Sequence, residues 1–404
     1  MDADDVVPIV TEVPRVSGPV DVVLTAVVIA LVVFGVVMVY SASTVFAHAR
    51  YGNAQYFLVR QGIFALVGIP VMIGISRVDY HRFQRFTYPF LLGSLGLLMV
   101  TIVGLGRRAK GAERWISLGP INIQPVELAK VALVAWLAYS LSKKSERIRT
   151  FSVGFLPHVL MAGVLMVLSL QQPDFGSAVM IGMLTFVLLF TAGARLPYLL
   201  LTVLVSLPTG YELVMASAYR RRRWEAFQDP WEYRYDEGYQ LCESLMSFGA
   251  GGGTGVGMGD SRQKLFFLPE AHTDFIGAII GEELGFVGLL GLVLAFLLVI
   301  YRGFRAALRA VDDYGTYLAV GVTMFVGLQV FTNLGVALGM LPTDGLVLPF
   351  ISYGGSALLV NCAAMGVLLN ISRPRGWTGA GGTVRAPRPS RLGAARAAMA
   401  GGTA

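Results

Sequence analysis

The chain has 404 residues, 55% of them hydrophobic and only 14% charged, with a mean hydropathy of +0.65. A soluble domain carries about 25% charged residues; here the apolar residues gather in blocks of about 20, the length that crosses roughly 30 Å of hydrocarbon, so a soluble fold is excluded. The net charge of +7 must be read by side of the membrane and not as a nucleic-acid signal, and no nucleic-acid partner is expected.

An acidic leader, residues 1–19 with Asp2, Asp4, Asp5 and Glu12, precedes the first apolar block. A secretory signal would start basic, carry a shorter apolar core and end in a small-residue cleavage site, so the block is expected to stay as a first span. Hydropathy windows place spans near 20–45, 56–76, 86–106, 124–141, 154–171, 175–193, 196–216, 274–301, 315–340 and 350–371, the seventh interrupted by Pro208 and Glu212. The expected fold is an all-α integral membrane protein of about ten transmembrane helices. With the N-terminus inside, Arg77, Arg82, Arg85, Lys143, Lys144, Arg147, Arg149, Arg302, Arg305 and Arg309 fall in cytoplasmic connections. The excess of Lys and Arg on that side predicts that both termini are cytoplasmic. The membrane domain then covers 20–372, with one long extracytoplasmic loop, 217–273, between spans seven and eight. The basic Gly/Ala/Pro/Arg-rich tail, 373–404, has no apolar pattern and is expected to be disordered. Cys242 lies in the long loop and Cys362 in a late apolar block, so neither a disulfide framework nor a Cys-based metal site is indicated.

Two outer connections break the charge rule. One holds Arg107, Arg108, Lys110 and Arg114; the other opens with Arg220, Arg221, Arg222 and Arg223 and ends with Arg262 and Lys264. Long loops cross regardless of charge, which allows the second. The first points to an anionic ligand such as a phosphate or pyrophosphate, or to lipid headgroups, or to counter-charges for Glu113, Asp229 and Glu232.

Ionisable groups at membrane depth cost roughly 2.5–3.5 kcal/mol each on insertion scales. In the fourth span Glu127 and Lys130 are three apart on one helical face. They form either a self-contained ion pair that eases insertion or a pair lining a wet cavity that meets an anionic substrate. Asp174, after Pro173, can cap the sixth span and also line an external cavity. The stretch 261–275 is the richest, holding Arg262, Lys264, His272 and Asp274. Asp274 reads either as an N-cap or as a substrate-contacting carboxylate; a helix N-terminus would lower its pKa and partial burial would raise it. The glycine run 249–259 has no GxGxxG register and no preceding strand, so a nucleotide site is rejected in favour of a hinge or re-entrant loop. Between Met340 and Ser356, two prolines, three glycines and polar residues including Ser352 imply irregular backbone, which survives near a membrane only when buried in protein or lining water. Gln329 and Asn333, four apart on the ninth span, could face the same outward polar pocket.

LPEAHTDFIGAIIGEELG (268–285), QPVELAK (124–130), RWISLG (114–119), QQPDFGSA (171–178) and LPTDGLVLPFISYGGSA (341–357) together resemble the signatures of the SEDS family (shape, elongation, division and sporulation). The resemblance covers about 20–372, in family order and spacing, and SRQKLFFLPEAHTDF is nearer the division branch than the elongation branch. It implies a ten-span peptidoglycan glycosyltransferase of the bacterial inner membrane, at the division septum. Such a protein polymerises lipid II beside a class B penicillin-binding protein (an FtsI-like transpeptidase) and other divisome membrane proteins. By position, Asp274 is the family's proposed catalytic residue, and Glu127 and Lys130 match a functionally important pair. Gly277 stands where the family usually has Phe. The implied chemistry is displacement with inversion at the donor's anomeric carbon: Asp274 as general base, with Arg114, Lys130, Arg262 and Lys264 stabilising the leaving pyrophosphate. Asp174, His272 and Ser352 complete the expected substrate-binding set. No cofactor is required, though a divalent cation (Mg2+ or Mn2+) could share the work through Asp274 or Asp174. A lipid flippase and a non-catalytic scaffold that recruits a transpeptidase are the rival readings; the concentration of polar groups at the outer ends of the spans favours the enzyme.

Overall fold

A computed structural model describes residues 15–16, 18–105, 107–109, 112–118, 121–378 and 384–385. The leader residues 1–14 and Lys110 lie outside them, as does the tail beyond 378 apart from Val384 and Arg385; the side chains of Arg107, Arg108 and Glu113 are likewise not described. Eight helical stretches among the described residues are long and apolar enough to cross a membrane, and two shorter apolar helices, Phe175–Thr191 and Gly355–Ile371, occupy the remaining predicted positions.

In chain order the helices are α1 (Val22–Tyr51), α2 (Tyr56–Ser76), α3 (Thr87–Val100), α4 (Pro125–Lys143), α5 (Leu156–Gln171), α6 (Phe175–Thr191), α7 (Leu196–Met215), α8 (Ala218–Gln228), α9 (Tyr239–Gly251), α10 (Ile276–Arg309), α11 (Asp313–Ala337) and α12 (Gly355–Ile371). The short strands β1 (Arg15–Val16), β2 (Arg107–Ala109), β3 (Ala112–Leu118), β4 (Ile121–Ile123), β5 (Arg375–Thr378) and β6 (Val384–Arg385) form two antiparallel sheets, β1-β5-β6 and β2-β3-β4. The connection between α3 and α4, where basic residues break the charge rule, is therefore a small sheet.

The centre is α4 against α11, whose apolar windows are 72% and 78% buried, whereas the window of α7 is 6% buried. α7 runs helically through Pro208. Ser206 and Thr209 hydroxyls donate back to the carbonyls of Val203 (3.1 Å) and Val205 (2.8 Å), on either side of the Leu204 carbonyl that Pro208 deprives of its helical donor. Around the central pair, α12 lies on α2, α10 on α11, α3 on α4, and α1 on both α2 and α10. Small residues allow the close approach that apolar solvent cannot drive: a Cβ added to Gly366 of α12 would lie 2.6 Å from the carbonyl oxygen of Met72 in α2.

Both ends of the membrane domain meet on one face. Asp21 caps α1 by accepting from Leu24 N–H (3.0 Å), pairs with Arg302 at the end of α10 (2.5 Å), and its own N–H donates to Ser372 just after α12 (3.2 Å). On the same face His81 sits between Asp79 (2.8 Å) and Asp312 (2.7 Å), and Tyr80 donates to Asp312, the N-cap of α11.

Candidate active site

The opposite face carries the long connection with α8 and α9, and here α10 is broken. Gly285 has φ 66° and ψ −166°, a conformation open essentially to glycine, so residues 276–284 and 286–309 form two helical segments. The break exposes backbone groups that must find partners. The glycine run supplies them: Val256 and Gly257 N–H donate to the carbonyls of Glu282 (3.0 Å) and Glu283 (3.1 Å), while Phe286 and Val287 N–H donate to Gly252 (2.9 Å) and Gly253 (3.1 Å). A Cβ on Gly255 would sit 2.2 Å from the Glu283 carbonyl oxygen, so only glycine fits there. The run seals a broken helix.

The same break orients two buried carboxylates. Glu282 accepts from the Ser261 hydroxyl and from Arg262 N–H (2.9 Å). Glu283 accepts twice from the Ser41 hydroxyl (2.6 and 2.8 Å) and pairs with Lys264 (3.0 Å). The loop 261–264 is thereby fastened to α10 and α1. Lys264 is engaged in this buried pair, and Arg262 uses its backbone here while its side chain is exposed.

Residues 265–275 then lead to Asp274 through strained backbone, with Phe266 and Glu270 at φ 71° and 58°. The N-cap position of α10 falls on Phe275, not on Thr273 or Asp274. Three consecutive carbonyls are each clamped by the far end of the chain: His272 by Tyr353 N–H (2.9 Å), Thr273 by the Ser352 hydroxyl (2.6 Å) and Asp274 by the Asn333 amide (2.8 Å). Ser352 thus fixes the backbone, and His272 stacks among Phe46, Phe57 and Tyr353 with ring centroids 4.6–5.8 Å away. Both serve to hold Asp274 in place.

Asp274 faces a small cavity of about 30 Å³ lined also by Arg223, Gln240, Asn333, Thr343, Asp344 and Gly345, room for about one water molecule. Arg223 comes from α8 and donates to the Thr343 carbonyl (3.1 Å). Asp344 is half-buried; desolvation pushes its carboxyl up to about 7, with the charges of Asp174 and Asp274 acting in the same direction and the Leu346 N–H and Lys130 against it. Asp174 caps α6 by accepting from Ser177 N–H (3.0 Å). Arg114 donates to the carbonyls of Gln172 (2.7 Å) and Pro173, fixing the link that carries Asp174. Beneath lies the fourth-span pair: Lys130 and Glu127 are 0% and 2% exposed and 2.8 Å apart, and Gln329 donates to the second Glu127 oxygen (3.2 Å).

Among the expected site residues, Asp274 lines one cavity with Asp344, and the charges of Asp174 and Lys130 reach that carboxyl, while Lys264 belongs to the α10 break. Sequence reading assigned no role to Asp344 or Gln240 and treated Arg223 as one of four loop arginines. The available signal was a charged residue in the segment bracketed by Pro342 and Pro349. A larger cavity, about 410 Å³, lies between the ends of α4, α6 and α11 and is lined by Glu146, Arg149, Thr191 and Asp313. It opens on the face assigned to the cytoplasm and holds none of the expected site residues.

Residues 21–376 match the family described as "Cell cycle protein", the FtsW/RodA/SpoVE family. The chain belongs to it. A probable peptidoglycan glycosyltransferase FtsW of Geobacter metallireducens is 48% identical over 87% of this chain and 94% of that one. Stage V sporulation protein E of Bacillus subtilis is 39% identical over 87% and 97%. Among solved structures, the Thermus thermophilus rod shape determining protein RodA superposes with a TM-score of 0.65 at 30% identity, covering 87% of this chain and 96% of that one. A chain from a peptidoglycan synthase complex, described as coordinating polymerization and crosslinking, gives 0.72 at 30%, covering 87% and 97%. The all-α membrane architecture is that of this family.

Proposed function

We propose that this chain polymerises lipid II into glycan strands at the outer face of the bacterial inner membrane during septal wall synthesis. Support for the activity comes from relatives named as probable peptidoglycan glycosyltransferases. Support for a working site comes from one observation: Asp274, an arginine and a second aspartate line one cavity, and the carbonyls of His272, Thr273 and Asp274 are each held by a hydrogen bond.

The reaction joins the 4-hydroxyl of the acceptor's N-acetylglucosamine to the anomeric carbon of a donor carrying undecaprenyl pyrophosphate. Asp274 takes the hydroxyl proton as the new bond forms and the pyrophosphate leaves from the opposite side, inverting the anomeric centre. A correctly placed base contributes about 10²–10⁴-fold. Arg223, in the cavity itself, is the cation best placed for the developing charge; Arg262 is exposed nearby in sequence, while Lys130, Lys264 and Arg114 are held by Glu127, Glu283 and backbone carbonyls. Among the described residues no group of three His, Cys, Asp or Glu side chains is arranged to hold a metal ion. The expected option of a divalent cation thus lacks a preformed cluster of such ligands, and the steps given are those of the chain's own residues. The partner that crosslinks the product is a class B penicillin-binding protein, a reading supported by likeness to a chain of a synthase complex.

The test is polymerisation of lipid II by the purified chain with its cognate transpeptidase. Asp274→Ala, folded and partner-bound, is expected to lose at least 10²-fold in rate. Equal rates would remove Asp274 as the base. No product from the native complex, beside an active control polymerase, would favour transport or scaffolding instead.

A further inference from the structure

Asn333 follows Gln329 by one turn of α11, and both residues are 1% exposed. The Gln329 amide nitrogen is bonded to Glu127 Oε2 (3.2 Å), and that of Asn333 to the carbonyls of Asp274 (2.8 Å) and Leu346 (2.6 Å). Carbonyl oxygens accept and never donate, so the Asn333 amide cannot turn over. Only its nitrogen can face those two carbonyls, and its Oδ1 is fixed in one direction. The same side chain ties the chain ahead of α10 to the 340–354 segment at a point where the two run close, a Cβ on Gly345 lying 3.4 Å from Asp274 Oδ2.

Asn333 Oδ1 has no hydrogen-bond partner, and among the described residues it is the only such buried side-chain atom whose residue lines the Asp274 cavity. A buried acceptor without a donor is unfavourable, so the cavity wall calls for an O–H or N–H. The space, about 30 Å³, takes a group the size of a water molecule and not a sugar ring. A ligand that supplies the donor therefore keeps its ring at the mouth and reaches in with a hydroxyl.

We infer that Asn333 is a specificity-determining residue, its Oδ1 accepting a hydrogen bond from an acceptor-sugar hydroxyl that neighbours the one that reacts. This rests on the polymerase reading. The reacting 4-hydroxyl gives its single proton to Asp274 and cannot serve Asn333 as well, so the partner is a hydroxyl on either side of it, at C3 or at C6. Asn333 makes and breaks no bond. Through its nitrogen it holds the main chain of Asp274, and through its oxygen it holds the sugar, so base and nucleophile are set relative to each other by one rigid amide. A site built around a buried acceptor also turns away a sugar that lacks the matching hydroxyl, because the acceptor is then left unpaired.

The experiment couples a lipid II donor whose own 4-hydroxyl is blocked to three acceptors: lipid II, and lipid II lacking the 3- or the 6-hydroxyl. Native complex should lose about tenfold in kcat/KM on one of the two deletions. Asn333→Ala should be slow with the complete acceptor and indifferent to that deletion. Asn333→Asp, which keeps an oxygen but cannot donate to both carbonyls, should be slow and yet remain sensitive. A merely structural Asn333 would lower the rate by the same factor with every acceptor, and that result overturns the inference. So does a native complex indifferent to both deletions, since a water molecule then suffices for Oδ1. If Asn333→Ala does not fold, Asn333→Gln takes its place, moving the oxygen by one methylene; unchanged discrimination between acceptors overturns the inference. Absence of product from the native complex with complete lipid II would instead sink the polymerase reading. The contact is then judged by binding of the lipid-free disaccharide and its two deoxy forms to native and Asn333→Ala protein, where equal affinities throughout overturn it.

Discussion

Lys130 has no exposed surface and meets the Glu127 carboxylate at 2.8 Å and the face of Phe325 at 5.7 Å. The sequence offered two readings of the pair, an insertion aid and a lining of a wet cavity. Burial on a central helix favours the first, while its charge reaching Asp344 keeps it relevant to the site above. Removing one partner from a buried pair strands the other charge and costs about 3–5 kcal/mol, whereas replacing both by apolar groups of similar volume is often neutral. Lys130→Met alone should therefore lower the thermal unfolding temperature in detergent sharply, and adding Glu127→Leu should recover most of the loss. A double variant no more stable than the single would mean that the pair is needed for more than mutual neutralisation. The spacing of three made this pair legible in the sequence. Asp344 was not, because a loop has no periodicity from which to read what a side chain faces.

At the scale of elements, the helices were readable because each apolar block is nearly as long as the hydrocarbon is thick. The break in α10 was not, since Gly281, Gly285 and the 249–259 run lie far enough apart in sequence that their mutual fit exists only in the fold. The β2-β3-β4 sheet escaped for a similar reason: short strands are fixed by pairing partners more than by their own residues. The break makes a sharp comparison possible within one helix. Ala at Gly285 must adopt a backbone conformation that costs on the order of 1–3 kcal/mol, and its methyl would lie 2.3 Å from Gly255 N. Ala at Gly291 meets nothing within 4 Å and gains helix propensity of up to about 1 kcal/mol. Gly285→Ala is expected to lower the yield of folded protein and its unfolding temperature, and Gly291→Ala to leave both unchanged or raised. Equal behaviour would mean that the glycine run does not depend on the break.

At the scale of the whole molecule, Asp21, Arg302 and Ser372 join the start of α1 to the end of α12, an arrangement that predicts an even number of crossings between them, and the charge pattern predicts that this face is cytoplasmic. The same reasoning puts the α8–α9 connection, and with it Asp274, on the opposite face from the 144–150 turn. The two native cysteines make this easy to measure, because both Cys242 and Cys362 are buried and should react slowly. Tyr235 is 95% exposed in the long connection, and Arg147 is exposed in the α4–α5 turn. In cells whose inner membrane is intact, a maleimide that cannot cross it should label Tyr235→Cys at once and Arg147→Cys only after permeabilisation. Labelling in the reverse order would place the Asp274 cavity in the cytoplasm, where the growing wall is absent, and the polymerase reading would fail with it. Labelling of both without permeabilisation would mean that the span count between them is even and that at least one apolar helix, most simply the poorly packed α7, does not cross.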